Sequence, residues 1–312
     1  MLSSGIHKFS SILYNNVTVY PHIASFHLNS DSKFFPIFSI SWTLAGAKVY
    51  ECARTFTIIN NCKDTIWPGI IPGESFNGGG LELKSHQSIV FDAPVGWSGR
   101  IWGRTGCKFD DNGNGPCQTG DCGQTLKCGA AGKTPVSLAE FTLATLDFYD
   151  VSLVDGFNLP LSVTPINGKG NCSAAGCNSD VRHNCPSELA VKAKGKVIAC
   201  RSACDVFDTD EYCCRGTYGN PSTCRPTYYS NIFKSACPTS YSYAYDDPTS
   251  IFTCSGADYV ITFCPTRNQP VCTYHDHKLV CKNKANGLNP LVGRWWATLL
   301  APLLVANLRF LL

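Results

Sequence analysis

The sequence predicts an all-β protein: an antiparallel β-sandwich that carries a disulfide-rich loop and helix domain and a small disulfide loop region. Three observations point there. Between residues 54 and 264 the apolar residues come in short alternating runs broken by Gly, Pro, Asn and Asp, with no long amphipathic stripe. The chain holds 19 cysteines beside a single methionine, a density that a reducing cytosol would leave as reactive thiols, so the compartment is expected to be oxidising. At 312 residues and 44% hydrophobic content the chain is long enough to bury a real core. With seven histidines and no repeated Cys-x-x-Cys knuckles, a multi-zinc protein is disfavoured. Lys and Arg total 26 against 23 Asp and Glu without any basic run, so a nucleic-acid partner has no support.

In chain order, residues 1–53 read as a leader and signal region. An apolar stretch runs through Phe34, Phe35, Ile37, Phe38, Ile40, Trp42 and Leu44 and closes on Ala45-Gly46-Ala47, an A-x-A cleavage pattern. The polar leader before it is unusually long, and a buried strand is the alternative reading. Residues 54–265 form the main domain. Within it Thr55-Phe56-Thr57-Ile58-Ile59, Ser88-Ile89-Val90-Phe91, Arg100-Ile101-Trp102 and Tyr259-Val260-Ile261-Thr262-Phe263 read as strands. The Trp97, Trp102 and Phe141 rings are assigned to the core.

A disulfide-rich subdomain is expected over about residues 176–237. One helix is predicted between Asn184 and Asp210, where Cys200, Cys204 and Phe207 fall at i, i+4, i+7 spacing. The rest of this segment is so poor in aliphatics that the staples are expected to order it. Residues 266–287 read as an extension and residues 288–312 as a hydrophobic tail. Asn283, Lys284, Ala285, Asn286 and Gly287 lead into apolar residues from Trp295 to Leu312, the pattern of a GPI-attachment signal. A transmembrane anchor and a tail packed on the domain are the alternatives; Arg309 interrupts a stretch of only 18 residues.

The segment Gly113-Asn114-Gly115-Pro116-Cys117-Gln118-Thr119-Gly120-Asp121-Cys122, followed by Gln124 and Cys128, sets three glycines and three cysteines at fixed offsets. It is joined by Trp102-Gly103-Arg104-Thr105-Gly106-Cys107, Leu138-Ala139-Glu140-Phe141, Asp155-Gly156-Phe157-Asn158-Leu159-Pro160, Tyr212-Cys213-Cys214 and Phe263-Cys264-Pro265. Together these motifs resemble the thaumatin family, the pathogenesis-related thaumatin and osmotin type of plants, from about Thr55 to Pro265. Setting aside Cys52, Cys272 and Cys281, 19 − 3 leaves 16 cysteines, the family's complement. The resemblance implies eight bridges: Cys62 to Cys264, Cys107 to Cys117, Cys122 to Cys128, Cys172 to Cys254, Cys177 to Cys237, Cys185 to Cys200, Cys204 to Cys213 and Cys214 to Cys224. Cys272 and Cys281 flank Tyr274-His275-Asp276-His277, and the two readings are an extra disulfide loop, which is favoured, or a small metal site. Cys52 is a leader residue or a free thiol. No metal and no cofactor is expected.

The resemblance also implies an acidic cleft built from Arg100, Glu140, Asp150, Asp155 and Asp246, with Asp247 adjacent to the last. The segment between Glu140 and Asp150 is shorter than the family pattern, and Thr239 stands where that pattern has Asp. Asp150 and Asp155 are five residues apart, so an unbroken strand would point them to opposite faces, and a bend near Gly156 is needed to bring them together. If the carboxyls converge with Glu140, repulsion raises at least one pKa while Arg100 holds the remaining charge. One protonated and one ionised carboxyl is the equipment of glycoside hydrolysis, with Glu140 as acid and Asp150 as nucleophile or base. The reading that needs less is binding: a secreted or surface-anchored defence protein, not expected to be an enzyme, whose cleft takes β-1,3-glucan at the fungal cell surface or perturbs fungal membranes. Weak endo-β-1,3-glucanase action and an enzyme-inhibitor or surface interaction module are the alternatives. Phe148, Tyr149 and Phe157 are candidates to stack on sugar faces, with core packing as the other reading of each. A monomer is expected.

No G-x-S-x-G elbow, phosphate loop or dinucleotide fingerprint occurs. Of two glycosylation sequons, Asn16-Val17-Thr18 lies in the leader, and Asn171-Cys172-Ser173 carries a bridge cysteine in its middle. Bridge formation is expected to compete with modification at Asn171 and to leave it partial.

Overall fold

The computed structural model describes residues 53–266, 271–275 and 278–282. The signal, cleavage and GPI readings, Cys52, and the Asp276 and His277 of the metal alternative lie outside the described residues.

Two five-stranded sheets form the sandwich. The first runs β3 (Ser88–Ala93), β1 (Arg54–Asn60), β12 (Asp258–Phe263), β7 (Leu161–Ile166), β8 (Ala175–Gly176). The second runs β11 (Ile251–Cys254), β6 (Asp147–Ser152), β5 (Leu138–Thr142), β4 (Ser98–Arg104), β2 (Trp67–Ile71). The four segments that read as strands in the sequence lie in β1, β3, β4 and β12. All ladders of the sandwich are antiparallel except β1 with β12, which run parallel in register from Phe56↔Tyr259 to Asn60↔Phe263. The Cys62–Cys264 disulfide follows directly on that last pair and ties the first strand of the domain to the last.

The core lies between the sheets because alternate residues of each strand point inward. Phe56 of β1 meets Phe141 of β5 at 4.8 Å between centroids, and Phe141 meets Tyr259 of β12 at 5.2 Å. Trp97, Trp102 and Phe141 are all buried. Polar groups that enter this space are satisfied: Arg54 Nε donates to Asp147 at 2.9 Å, and the Tyr259 hydroxyl donates to the same carboxylate at 3.0 Å. At the end of β4, the fully buried Arg104 donates to the carbonyls of Trp67, Pro68, Thr125 and Leu126, which anchors the loop closed by Cys122–Cys128.

The helix predicted between Asn184 and Asp210 is corrected. The middle of that stretch is a hairpin, β9 (Ala190–Ala193) with β10 (Lys196–Cys200), turned at Lys194 and Gly195, both of which have positive φ. Val191, Val197 and Ile198 favour extended chain, and two central residues with positive φ make the tight hairpin turn that suits strand twist. Only after Ser202, whose side chain caps Asp205 N, does a helix start, α1 (Ala203–Phe207), followed by α2 (Asp210–Cys213). The longest helix among the described residues, α3 (Tyr228–Ala236), was not expected; Thr227 and Ser230 form a reciprocal capping box at its start. A short α4 (Asp247–Ser250) precedes β11.

The expectation that staples alone order the cysteine-rich segment is also corrected. Leu153 and Phe157, arriving from the end of β6, are buried together with Val181, Leu189 and Phe233 and three bridge cysteines. The segment thus borrows apolar side chains from the sandwich to make a small core. At the end of the described chain β13 (Val271–His275) pairs with β14 (Lys278–Lys282); Cys272 is disulfide-bonded, and the residue across the ladder from it is Cys281.

Candidate functional site

Arg100, Glu140 and Asp150 stand in one row across the second sheet. In the ladder Arg100 pairs with Glu140, and Glu140 pairs with Asp150. Their strand neighbours Ile101, Ala139, Phe141, Tyr149 and Val151 belong to the core, so the row points to the opposite face. Cross-strand partners have Cβ atoms about 5 Å apart, and the three side chains are therefore in mutual contact range. Arg100 Nη2 lies 3.7 Å from Glu140 Oε1, an ion pair too long for a hydrogen bond. Glu140 is only 5% exposed. Glu140 Oε1 and Asp150 Oδ1 are buried without a hydrogen-bond partner.

Burial pushes the Glu140 acid up to about 7, opposed by Arg100 and reinforced by the charge of Asp155. Burial likewise holds Asp150 well above the usual carboxylate range, with Glu140 and Asp247 adding to the effect and Arg100 opposing it. One guanidinium cannot balance two such carboxylates, so burial and their mutual repulsion push both acids toward the protonated form. The row is less acidic than its count of carboxyls suggests.

Asp155 reaches this group by the required bend. β6 ends at Ser152, and the Gly156 amide donates to Leu153 O at 3.0 Å, closing a turn in which Gly156 takes φ +91°. A side chain at Gly156 would meet Cys200 O and Pro135, each 2.7 Å from its Cβ, so glycine is needed for both conformation and space. Burial raises the Asp155 acid, Arg100 opposes, and Asp205 adds to the rise. Asp246 is engaged elsewhere: Lys234 Nζ sits 2.9 Å from its Oδ2, which also accepts from Ser242 N and Oγ. The acid whose charge bears on Asp150 is Asp247, which accepts from the Tyr241 hydroxyl at 3.0 Å.

A cleft of about 640 Å³ opens beside this group. Asp155 and Asp205 line it together with Tyr212, Tyr229, Tyr243 and Tyr245, whereas Arg100, Glu140 and Asp150 are not among its lining residues. Two of the rings are fixed by their hydroxyls: Tyr229 donates to Glu188 at 2.8 Å and Tyr245 to Gly219 O at 2.6 Å. Phe207 and Tyr212 pack against Tyr229 with centroids 5.2 and 5.7 Å away.

The aromatic residues singled out in the sequence are elsewhere. Tyr149 is 1% exposed with its hydroxyl on Ser173 O, and Phe157 is fully buried, so both are core. Phe148 is half-buried on β6 and does not line the cleft. The four tyrosines were missed because they come from α2, α3 and the loop before α4, and no local pattern joins them. Among the described residues no three His, Cys, Asp or Glu side chains are placed to hold a metal ion.

Comparison with known proteins matches residues 60–265 to the model of the thaumatin family. The chain is 58% identical over 218 residues to "Pathogenesis-related thaumatin-like protein 3.5" of Cryptomeria japonica, an alignment spanning 69% of this chain and 91% of that protein. It is 49% identical over 223 residues to a protein of Prunus avium named "Glucan endo-1,3-beta-glucosidase", over 68% of this chain and 91% of the other. Among solved structures, the thaumatin-like xylanase inhibitor TLXI aligns with 28% identity and a TM-score of 0.39, over 67% of this chain and 99% of that chain.

Proposed function

The chain belongs to the thaumatin family, and on that premise we propose that it is an exported defence protein that binds β-1,3-glucan in the tyrosine-lined cleft without hydrolysing it. The observation that carries this reading is the separation of the cleft from the carboxyl pair. Tyr212, Tyr229, Tyr243 and Tyr245 offer ring faces to the apolar face of a sugar, and Asp155 and Asp205 offer acceptors to its hydroxyls. A general acid must come within about 2.6–3.2 Å of the glycosidic oxygen. Glu140, nearly enclosed in the sheet, does not offer that reach. Export is part of the proposal, since the eight disulfides between Cys62 and Cys264 persist in an oxidising compartment.

The test is retention on insoluble β-1,3-glucan with reducing ends counted in the supernatant. The wild-type protein is expected to be retained without new reducing ends. Tyr243→Ala and Asp155→Asn are each expected to weaken retention about fivefold, the effect of about 1 kcal/mol. A protein that is not retained at all removes the reading.

A second reading is favoured by the name of the Prunus avium relative and by the Glu140 acid, which burial brings to about 7. In it, Glu140 protonates the leaving oxygen of a β-1,3-glucan and Asp150 acts as nucleophile or base. Reducing sugar released by the wild type and lost in Glu140→Gln would establish it in place of simple binding. Attachment to the membrane through a GPI anchor is tested separately, by phospholipase release from intact cells; recovery of Leu312 by mass spectrometry refutes it.

A further inference from the structure

We propose that Asn171 carries an N-linked glycan in most molecules, added before the Cys172–Cys254 disulfide forms. The proposal rests on the export proposed above and on nothing about the cleft. Asn171-Cys172-Ser173 meets the N-x-S/T rule, since only proline is excluded from the middle position. In the folded protein Asn171 is exposed on the loop between β7 and β8. That loop turns at Asn167, φ +56°, and at Gly170, φ +99°, and a Cβ at Gly170 would meet no atom within 4 Å. The Asn171 carbonyl oxygens accept from Ser173 N at 3.0 Å and Ser173 Oγ at 3.3 Å. Among the described residues no group accepts a hydrogen bond from Asn171 Nδ2, so a sugar on that nitrogen of the exposed residue breaks no hydrogen bond.

After folding the same loop is locked. Lys169 and Ser255 exchange backbone hydrogen bonds of 2.9 and 3.1 Å, Cys172 is joined to Cys254, and Ser173 O accepts from the buried Tyr149 hydroxyl. A transferase that draws Asn and Ser together into its own site needs this segment free, so modification must precede closure. The order of synthesis allows it. The partner of Cys172 lies 82 residues further along the chain. At about 5–20 residues per second that separation takes about 4–16 s to synthesise. Throughout that interval the sequon is available and its native bridge cannot form. The expected competition between bridge and glycan is therefore resolved by chain order, in the glycan's favour.

In the transfer, Asn171 Nδ2 forms a bond to C1 of the first sugar of a lipid-linked oligosaccharide. The C1–O bond to the lipid diphosphate breaks, the diphosphate leaves with the bonding pair, and the amide loses one proton to solvent. The test expresses the full chain in plant cells and collects it from the extracellular fluid. Enzymatic deglycosylation in heavy-oxygen water then marks any glycosylated Asn171 as labelled Asp in the peptide that also carries the disulfide to Cys254. Labelling in most molecules is expected. Ser173→Ala is expected to abolish it, and Cys254→Ser to leave it unchanged.

Because Cys254→Ser perturbs folding, its occupancy is read by pulse labelling on the total cellular pool, which requires neither folding nor export. An extracellular protein with unmodified Asn171 overturns the proposal and leaves export standing. A chain found only in the cytosol overturns both. Occupancy that rises severalfold in Cys254→Ser overturns the order of events, since the bridge would then be the limiting competitor.

Discussion

Glu140 links the chemistry of the row to the stability of the fold. Its folded pKa of about 7 lies above the ordinary glutamate value of 4.5, so between those values the folded state holds a proton that the unfolded state has lost. The stabilisation is complete below about pH 4.5 and is lost as pH rises through about 7. One pKa unit corresponds to about 1.4 kcal/mol, and the loss amounts to a few kcal/mol. Thermal melting is therefore expected at a lower temperature at about pH 8 than at about pH 5, and Glu140→Gln is expected to flatten that dependence and raise the melting temperature at the higher pH. A pH profile that is identical in wild type and variant refutes this account. Arg104 makes a second prediction: Arg104→Met removes the donors to four carbonyls, one buried and three part-buried, and is expected to cost about 3 kcal/mol in denaturant unfolding. At this scale Arg100, Glu140 and Asp150 were legible as motif positions. The exchange of Asp247 for Asp246 was not, because Lys234 claims Asp246 through a fold-dependent contact.

The elements of the sandwich follow from period-two alternation, which survives in the sequence because each strand shows one face to the core. β4 shows the limit of that logic. Gly103 breaks its pattern because a Cβ there would lie 2.8 Å from Leu159 and 2.9 Å from Phe263 of the facing sheet. Gly103→Ala is therefore expected to destabilise by about 1–3 kcal/mol through overpacking, read as a lower denaturation midpoint. Helices were the least legible elements. The i, i+4, i+7 spacing of Cys200, Cys204 and Phe207 mimics a helix, yet Cys200 ends β10 and only the later two are helical. The signal for α3 was present at Thr227 and Ser230, in a capping box with Ser in the position more often held by Glu or Gln. Thr227→Ala is expected to cost about 1 kcal/mol, measured by equilibrium unfolding.

Across the whole molecule the disulfides act at different ranges. Cys62–Cys264 spans a sequence separation of 202 residues and Cys204–Cys213 one of 9. In the chain-entropy view the first contributes about 5 kcal/mol and the second about 2–3. Replacing both cysteines of the long bridge by Ala is thus expected to lower the melting temperature more than the same change in the short one; equal losses would show that local strain, not chain closure, sets their worth. The small core of Leu153, Phe157 and Phe233 adds to the staples of the cysteine-rich segment. By itself the sequence determined the class of the fold, because alternation is a property of residues near one another in the chain, while the bridge pairing and the carboxyl positions were implied by the family resemblance that its motifs carry. Only the tertiary structure decided that Glu140 is enclosed and Asp150 Oδ1 buried without a partner while four tyrosines line the cleft. Solvent access and protonation depend on what distant segments lay over a side chain, and no local pattern records that.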